Sequence, residues 1–218
     1  MTTRNITRSA QTALRDILVA ESRWHGWNKD ALPVINTLVN LLLQQHSAQQ
    51  PSVWHPSITY MFPDLPAKYE EANIEAATET LTRLCDFVTK MTVQCAAIKT
   101  SATELANLHQ QTTNDTESPF LYFTLEQYAT LAHNVHALYE QATQERQTYI
   151  DDLNEIIQSL RGESTDIPER AFDSDAHFVR LLAWESSPGL KNAQMSVPSH
   201  TTILSLADFD ELAQKEFE

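Results

Sequence analysis

Two heptad ladders decide the fold: IEAATETLTRLCDFVTKMTVQCAAIKTSATEL (residues 74–105) and YATLAHNVHALYEQATQERQTYIDDLNEIIQSL (residues 128–160). In the first, side chains recur at alternating steps of three and four residues: Ile74, Ala77, Leu81, Leu84, Val88, Met91, Cys95, Ile98, Ala102 and Leu105. The second has one charged rung, Arg146, among Tyr128, Ala132, Val135, Tyr139, Ala142, Tyr149, Leu153, Ile156 and Leu160. This period keeps one seam of a long α-helix apolar, and another helix must cover that seam.

The polar segment 111–119 separates the ladders and ends at a proline, so the chain is expected to turn back there. This arrangement predicts an antiparallel helical hairpin, coiled-coil-like, with helices over about 67–110 and 124–161. Gly162 follows the second helix as a stop signal. The pattern alone leaves open whether the ladders pair within one chain or between chains. The length of the loop favours pairing within one chain.

The predicted fold is all-α, with two N-terminal helices, the long hairpin and a short C-terminal helix. Trp24, Gly26 and Trp27 interrupt the apolar pattern and divide the N-terminal segment into those two helices. Five segments follow: N-terminal helices over 1–46, a Pro-rich connector over 47–66, the hairpin over 67–162, a short C-terminal helix and tip over 163–190, and an acidic, flexible tail over 191–218. Within the tail, the helical spacing of Leu206, Phe209, Leu212 and Ala213 leaves a short docking helix over 204–217 as an alternative.

The connector combines prolines with apolar side chains. Its prolines exclude a regular helix throughout the segment. Its apolar residues are Val53, Trp54, Ile58, Tyr60, Met61 and Phe62. A free linker would not carry that apolar content, so the favoured interpretation is that the connector packs across the hairpin. The alternative is a strap that binds a partner.

Composition excludes several classes of function. The net charge of −14 and the pI near 4.9 disfavour direct binding to nucleic acid or to an anionic membrane. None of the three glycines lies between residues 27 and 161, which excludes a Gly-rich phosphate loop there. Residues 1–8 lack an apolar stretch, so no signal peptide is expected, and no apolar run is long enough to span a bilayer. Cys85 and Cys95 are too far apart on one helix to form a disulfide, which fits a reducing compartment.

Catalytic patterns are also missing from the sequence. It contains no Glu-x-x-His, His-Glu-x-x-His, Cys-x-x-Cys or Gly-x-Ser-x-Gly motif. His133 and His136 are the one close histidine pair, and such pairs more often flank a helical seam than bind a metal. The sequence therefore predicts no enzyme, no catalytic residue, no cofactor and no metal. An enzyme with a site in the bundle core remains an alternative.

Three stretches together resemble the family of cyclin-dependent kinase 2-interacting protein (CINP). The first is Trp24-His25-Gly26-Trp27-Asn28, followed by Asn36, Leu38, Asn40 and Leu41; the second is the spacing of Tyr128, His133 and Tyr139; the third is Trp184-Glu185-Ser186-Ser187-Pro188. The chain departs from the family pattern at three positions: Trp27 replaces a Leu, Phe123 is the nearest counterpart of a Trp, and Gly189 replaces an aromatic residue.

The resemblance implies a nuclear, non-enzymatic adaptor in genome maintenance and DNA replication, with the cytoplasm as a second location. It implies links to the cell cycle, to the DNA damage checkpoint and to maturation of the large ribosomal subunit. The implied partners are a pair of AFG2-type AAA+ ATPases, the small helical protein AIRIM, a cyclin-dependent kinase and the checkpoint kinase partner ATRIP. The alternative is a structural coiled-coil subunit of another complex, such as an inner-kinetochore or tethering complex.

The residues predicted to bind partners lie outside the long ladders or where the second one begins: Trp24, Trp27, Asn28, Phe120, Phe123, Tyr128, Phe178, Trp184 and Pro188. Tryptophans are frequent interface anchors, but core and interface interpretations of these tryptophans are evenly balanced. Ser118-Pro119 and Ser187-Pro188 also fit the minimal target of proline-directed kinases.

Overall fold

The computed structural model describes residues 3–50, 53–111, 120–162, 174–198 and 203–217. Over these residues the fold is all-α with one small antiparallel pair of strands. Its elements in chain order are α1 (Thr3–Ala48), α2 (Pro56–Met61), α3 (Leu65–Gln111), α4 (Leu125–Leu160), α5 (Ser174–Ser186), α6 (Pro188–Lys191), β1 (Gln194–Ser196), β2 (Ile203–Ser205) and α7 (Leu206–Lys215).

The chain divides into two compact units, and each is described by itself. Unit 1 comprises Met1–Trp27, Thr89–Gln144 and Ser186–Glu218. Unit 2 comprises Asn28–Val88 and Glu145–Glu185. The divisions fall inside α1, α3 and α4, so each of these helices contributes one part to each unit.

Both predicted ladders are confirmed as buried seams. Every rung on α3 except Ile74 is buried, and on α4 the exceptions are Ile156 and Leu160. In unit 2, Arg161 donates a hydrogen bond to the Thr78 hydroxyl, which joins the end of α4 to the beginning of α3. The two helices therefore pair in opposite directions within one chain, as the sequence favours.

The N-terminal segment differs from the prediction, because α1 is a single helix rather than two. It continues through Gly26 and contains Pro33, although these residues cost a helix about 1 and 3 kcal/mol. A third ladder of buried residues offsets that cost: Leu14, Ile17, Glu21, Trp24, Asn28, Ala31, Ile35, Leu38, Leu42 and Gln45. Because Glu21, Asn28 and Gln45 of this ladder are polar, a pattern of apolar residues alone does not show the repeat.

The C-terminal segment is folded, so the prediction of a flexible tail over 191–218 is wrong for its described part, and the alternative of a short helix within 204–217 is confirmed. β1 and β2 pair antiparallel with Met195 opposite Leu204, and α7 follows. Ser205 and Asp208 form a reciprocal capping box that begins this helix. Phe209 is fully buried, which explains why an acidic helix stays packed.

Candidate functional site

Trp24 lies in the core of unit 1. The side chain is 0 % exposed, and its Nε1–H donates to Thr143 Oγ1 at 2.9 Å. Thr143 in turn donates to the Tyr139 carbonyl at 2.8 Å. The single hydroxyl proton of Thr143 is used in that bond. The Cys95 thiol, which lies 3.1 Å from Thr143 Oγ1, therefore donates to this oxygen. The structure therefore favours the core interpretation for Trp24, since its ring cannot reach a partner from this position.

Trp27 is more accessible than Trp24 in the same unit. Its side chain is half-buried, and the Lys90 ammonium lies 4.7 Å from the ring centroid. This distance fits a cation–π contact. Of the three predicted binding residues in the Trp24–Asn28 corner, Trp27 is the one that is not buried.

A carboxyl pair, buried Glu21 and half-buried Asp210, joins α1 to α7 in unit 1. Glu21 is buried, and burial, followed by the nearby Asp210 carboxylate, raises its pKa well above the ordinary value. Burial also raises the pKa of Asp210. The Tyr139 hydroxyl lies beside the Glu21 carboxyl and forms a 2.8 Å hydrogen bond with His25 Nε2. Two adjacent carboxyls with raised pKa values favour a shared proton over two charges.

The predicted binding residues before and within α4 are covered by this chain's own C-terminal segment. Phe120 and Tyr128 are buried, with ring centroids 4.5 Å apart, and half-buried Phe123 lies 5.4 Å from the Tyr128 centroid. Phe209 of α7 packs against Tyr128 at 6.4 Å. Of the three predicted residues here, Phe123 retains partial exposure.

Glu216 fixes that arrangement with three hydrogen bonds. Its carboxylate accepts from Leu121 N at 2.8 Å, from Tyr122 N at 3.0 Å and from the Tyr128 hydroxyl at 2.8 Å. Backbone N–H groups directed at one carboxylate are a strong, charge-assisted arrangement. No local sequence pattern indicates this contact, because the partners are separated by about ninety positions in the chain.

Arg146, the charged rung of the α4 ladder, is buried in unit 2. It is 4 % exposed, and its Nε donates to Asn28 Oδ1 at 2.7 Å. Its Nη2 donates to the Trp184 carbonyl at 3.1 Å, and its guanidinium lies 5.2 Å from the Trp184 ring centroid. Asn28 and Trp184, both predicted to bind partners, are therefore buried ligands of this arginine in the structure.

The remaining predicted residues belong to the segment around α5 and α6. Phe178 and Pro188 lie in these helices, but their side chains are outside the described residues. Ser187 is buried and has a positive φ of 43°, so a kinase cannot reach its hydroxyl in this conformation. Ser118 lies outside the described residues.

The connector is the most exposed apolar part of unit 2, which contradicts the favoured prediction that it packs. Tyr60, Met61 and Phe62 are 90 %, 69 % and 59 % exposed. We name these residues and their exposed apolar neighbours the connector surface: Val53, Ile58, Tyr60, Met61, Phe62 and Leu65. The site prediction omitted them, although the apolar run between prolines was the available signal.

Trp54 holds the connector surface in place. Its Nε1–H donates to the Ala48 carbonyl at 2.9 Å, and its ring meets Tyr69 edge-on at 5.6 Å. The His55 side chain accepts from Ser57 N and caps α2. The exposed side chains are therefore presented by ordered backbone rather than by a loose linker.

A groove of about 560 Å³ lies beside the connector surface. Residues from the end of α1, the connector and α3 line it: Asn40, Leu43, Gln44, Ser47, Ala48, Val53, Trp54, Ile58 and Tyr69. Apolar walls with a few amide groups are typical of pockets that accept one large apolar side chain.

Nowhere in the described ranges do three or more His, Cys, Asp or Glu side chains group in a way that could hold a metal ion. None of the helices, over the part of the chain that the structure describes, is long and apolar enough to cross a membrane. No protein-family model matches the chain, and no curated protein sequence matches it.

Proposed function

We propose that this chain is a non-enzymatic helical adaptor that binds other proteins through the connector surface. The observation that carries the proposal is the exposure of Tyr60, Met61 and Phe62 on an ordered segment. Large apolar side chains that remain exposed together mark sites of protein interaction. By contrast, the buried polar groups described above contact one another and serve packing.

The partners proposed for this adaptor come from the resemblance to the CINP family. They are a pair of AFG2-type AAA+ ATPases with an AIRIM-like helical subunit, and a cyclin-dependent kinase and ATRIP in further contacts. The corresponding roles are genome maintenance, DNA replication, cell-cycle control and maturation of the large ribosomal subunit. A nuclear location, with the cytoplasm as a second one, belongs to the same proposal.

Isolation of the native complex from the source cells tests this function. The expected result is co-purification of AAA+ ATPase subunits, identified by mass spectrometry, and their loss from the triple variant Y60S/M61S/F62S. The matched control is V179S/L182S, which removes exposed apolar side chains from α5. Recovery of centromere or vesicle-tethering proteins instead would assign the chain to another coiled-coil complex.

A further inference from the structure

We infer that the connector surface and its groove bind an amphipathic helix with basic flanks from a partner protein. This inference rests on the proposed adaptor function and specifies the chemistry of the partner. It follows from three properties of the site: the helices that frame its exposed apolar side chains, the groove beside them, and the charge around them.

The helical surroundings favour a helix as the bound element. Ile58 and Met61 lie one turn apart on α2, and Phe62 and Leu65 follow where α2 ends and α3 begins; all four are exposed. An exposed apolar patch on helices is commonly covered by the apolar face of another helix. The elements that frame the site are the helices α1, α2 and α3, and no strand edge lies in the described part of unit 2. Helix-in-groove docking therefore fits better than strand addition.

The groove supplies an anchor position. Its apolar walls include Leu43, Ile58 and Tyr69, while the amides of Asn40 and Gln44 lie at the same opening. Its volume of about 560 Å³ is sufficient for a leucine or an aromatic side chain. One buried anchor of this kind commonly contributes most of the binding energy at an interface.

The charge around the site selects a basic partner. Between residues 53 and 79 the acidic residues are Asp64, Glu70, Glu71, Glu75 and Glu79, against Lys68 in the same stretch and Arg161 of α4, which donates to Thr78. All of these acidic residues are exposed or half-buried, so their charges act at the surface. A basic helix is attracted to this field, whereas a second copy of the chain, with a net charge of −14, is repelled.

A direct binding measurement tests the inference with a defined probe. The probe is a fluorescent synthetic helix of about 20 residues, long enough to span roughly 30 Å, with Leu and Trp on one face and Lys on the other. Two matched peptides are controls: one has Glu in place of every Lys, and one has the same composition in scrambled order. Fluorescence anisotropy with the purified full chain gives the three affinities.

The Lys peptide is expected to bind at least about tenfold more tightly than either control peptide. Y60S/M61S/F62S should weaken its binding about tenfold or more, while V179S/L182S leaves it unchanged. The variant E70Q/E71Q should reduce the dependence of affinity on salt, and the control E104Q/E126Q should not. Glu104 and Glu126 are exposed acidic residues of unit 1, so they control for overall charge.

Three results would overturn the inference. One is equal binding of the Lys and Glu peptides. Another is unchanged binding of the Lys peptide to Y60S/M61S/F62S. The third is a dimer of the wild-type chain in light scattering that the same triple variant dissociates, because a second copy would then occupy the site.

The two proposals can fail separately. If the Lys peptide does not bind but native partners still require Tyr60, Met61 and Phe62, the adaptor function stands and the basic-helix inference falls. If the peptide binds at the connector surface but the native complex ignores the triple variant, the site chemistry stands. The proposed function through that surface then falls.

Discussion

The indole of Trp24 and the hydroxyl of Thr143 are joined by a 2.9 Å hydrogen bond inside unit 1. This bond also organises Cys95, whose thiol lies 3.1 Å from the same hydroxyl oxygen. Burial raises the pKa of this thiol, so it stays protonated and can donate. One threonine thus satisfies polar groups from α1 and α3 that would otherwise be buried without a partner.

Trp24→Ala is expected to destabilise the chain by about 3–5 kcal/mol, because it leaves a large cavity and removes a donor from Thr143. Trp27→Ala, at a half-buried position, is the control and should cost clearly less. Urea unfolding followed by far-UV circular dichroism measures both. A Trp24→Ala chain as stable as wild type that loses its partner would restore the interface role predicted from sequence.

Asn28→Ala should cost about 1.5–3 kcal/mol, because it removes an acceptor from the buried Arg146 guanidinium. In an Arg146→Met background the same change should cost much less, because no charge then needs that acceptor. Urea unfolding of the four chains gives the coupling free energy. Strictly additive effects would contradict a hydrogen bond between the two side chains.

The Glu21–Asp210 pair predicts an unusual dependence of stability on pH. A raised carboxyl pKa means that the folded chain binds the proton more tightly than the unfolded chain. The contribution of the pair to the free energy of unfolding is therefore full below the ordinary carboxyl pKa of about 4. It is lost as the pH rises toward the raised pKa of the folded chain. For one proton, the loss is at most about 1.4 kcal/mol per pH unit.

Glu21→Gln should remove most of that dependence, because the amide does not titrate. The variant is expected to be more stable than wild type at mildly alkaline pH, and to lose this advantage at mildly acidic pH. Thermal unfolding across a pH series measures the difference. Glu104→Gln, at an exposed position, is the control. Parallel curves for wild type and Glu21→Gln would rule out a shared proton.

Glu216→Gln should loosen the segment before α4, because two backbone amides and the Tyr128 hydroxyl lose a carboxylate acceptor. The expected cost is about 1.5–3 kcal/mol in local stability. Amide hydrogen exchange at Leu121 and Tyr122 should accelerate, while exchange in the middle of α3 remains slow. Unchanged protection of those two amides would show that the hydrogen bonds are not formed in solution.

The long helices were predictable because their apolar ladders are local and repetitive. The continuity of α1 was not, because Glu21, Asn28 and Gln45 interrupt its ladder with polar residues. Their burial depends on groups distant in sequence, such as Arg146 for Asn28. A local apolar pattern does not show these distant partners. The polar residues that interrupt the repeat of α1 are therefore interpreted as the end of a helix.

The candidate site was harder to predict than the fold. Residue type leaves core and interface interpretations of the tryptophans evenly balanced, and Trp24 and Trp184 are in fact covered by neighbours from other helices. The connector was assigned to packing because apolar side chains are usually buried, yet Tyr60 is 90 % exposed. Which apolar residues remain uncovered depends on the complete packing, and composition does not reveal it.

Arg146 has a consequence for how α4 can be aligned. Apolar ladders that repeat every seven residues would tolerate a slide of one heptad, since each rung would meet an equivalent neighbour. Such a slide would place Leu153 beside Asn28 and leave the guanidinium in an apolar seam without its acceptors. The Arg146–Asn28 pair therefore specifies the register of these helices, because registers shifted by one heptad would leave a buried charge without its acceptors.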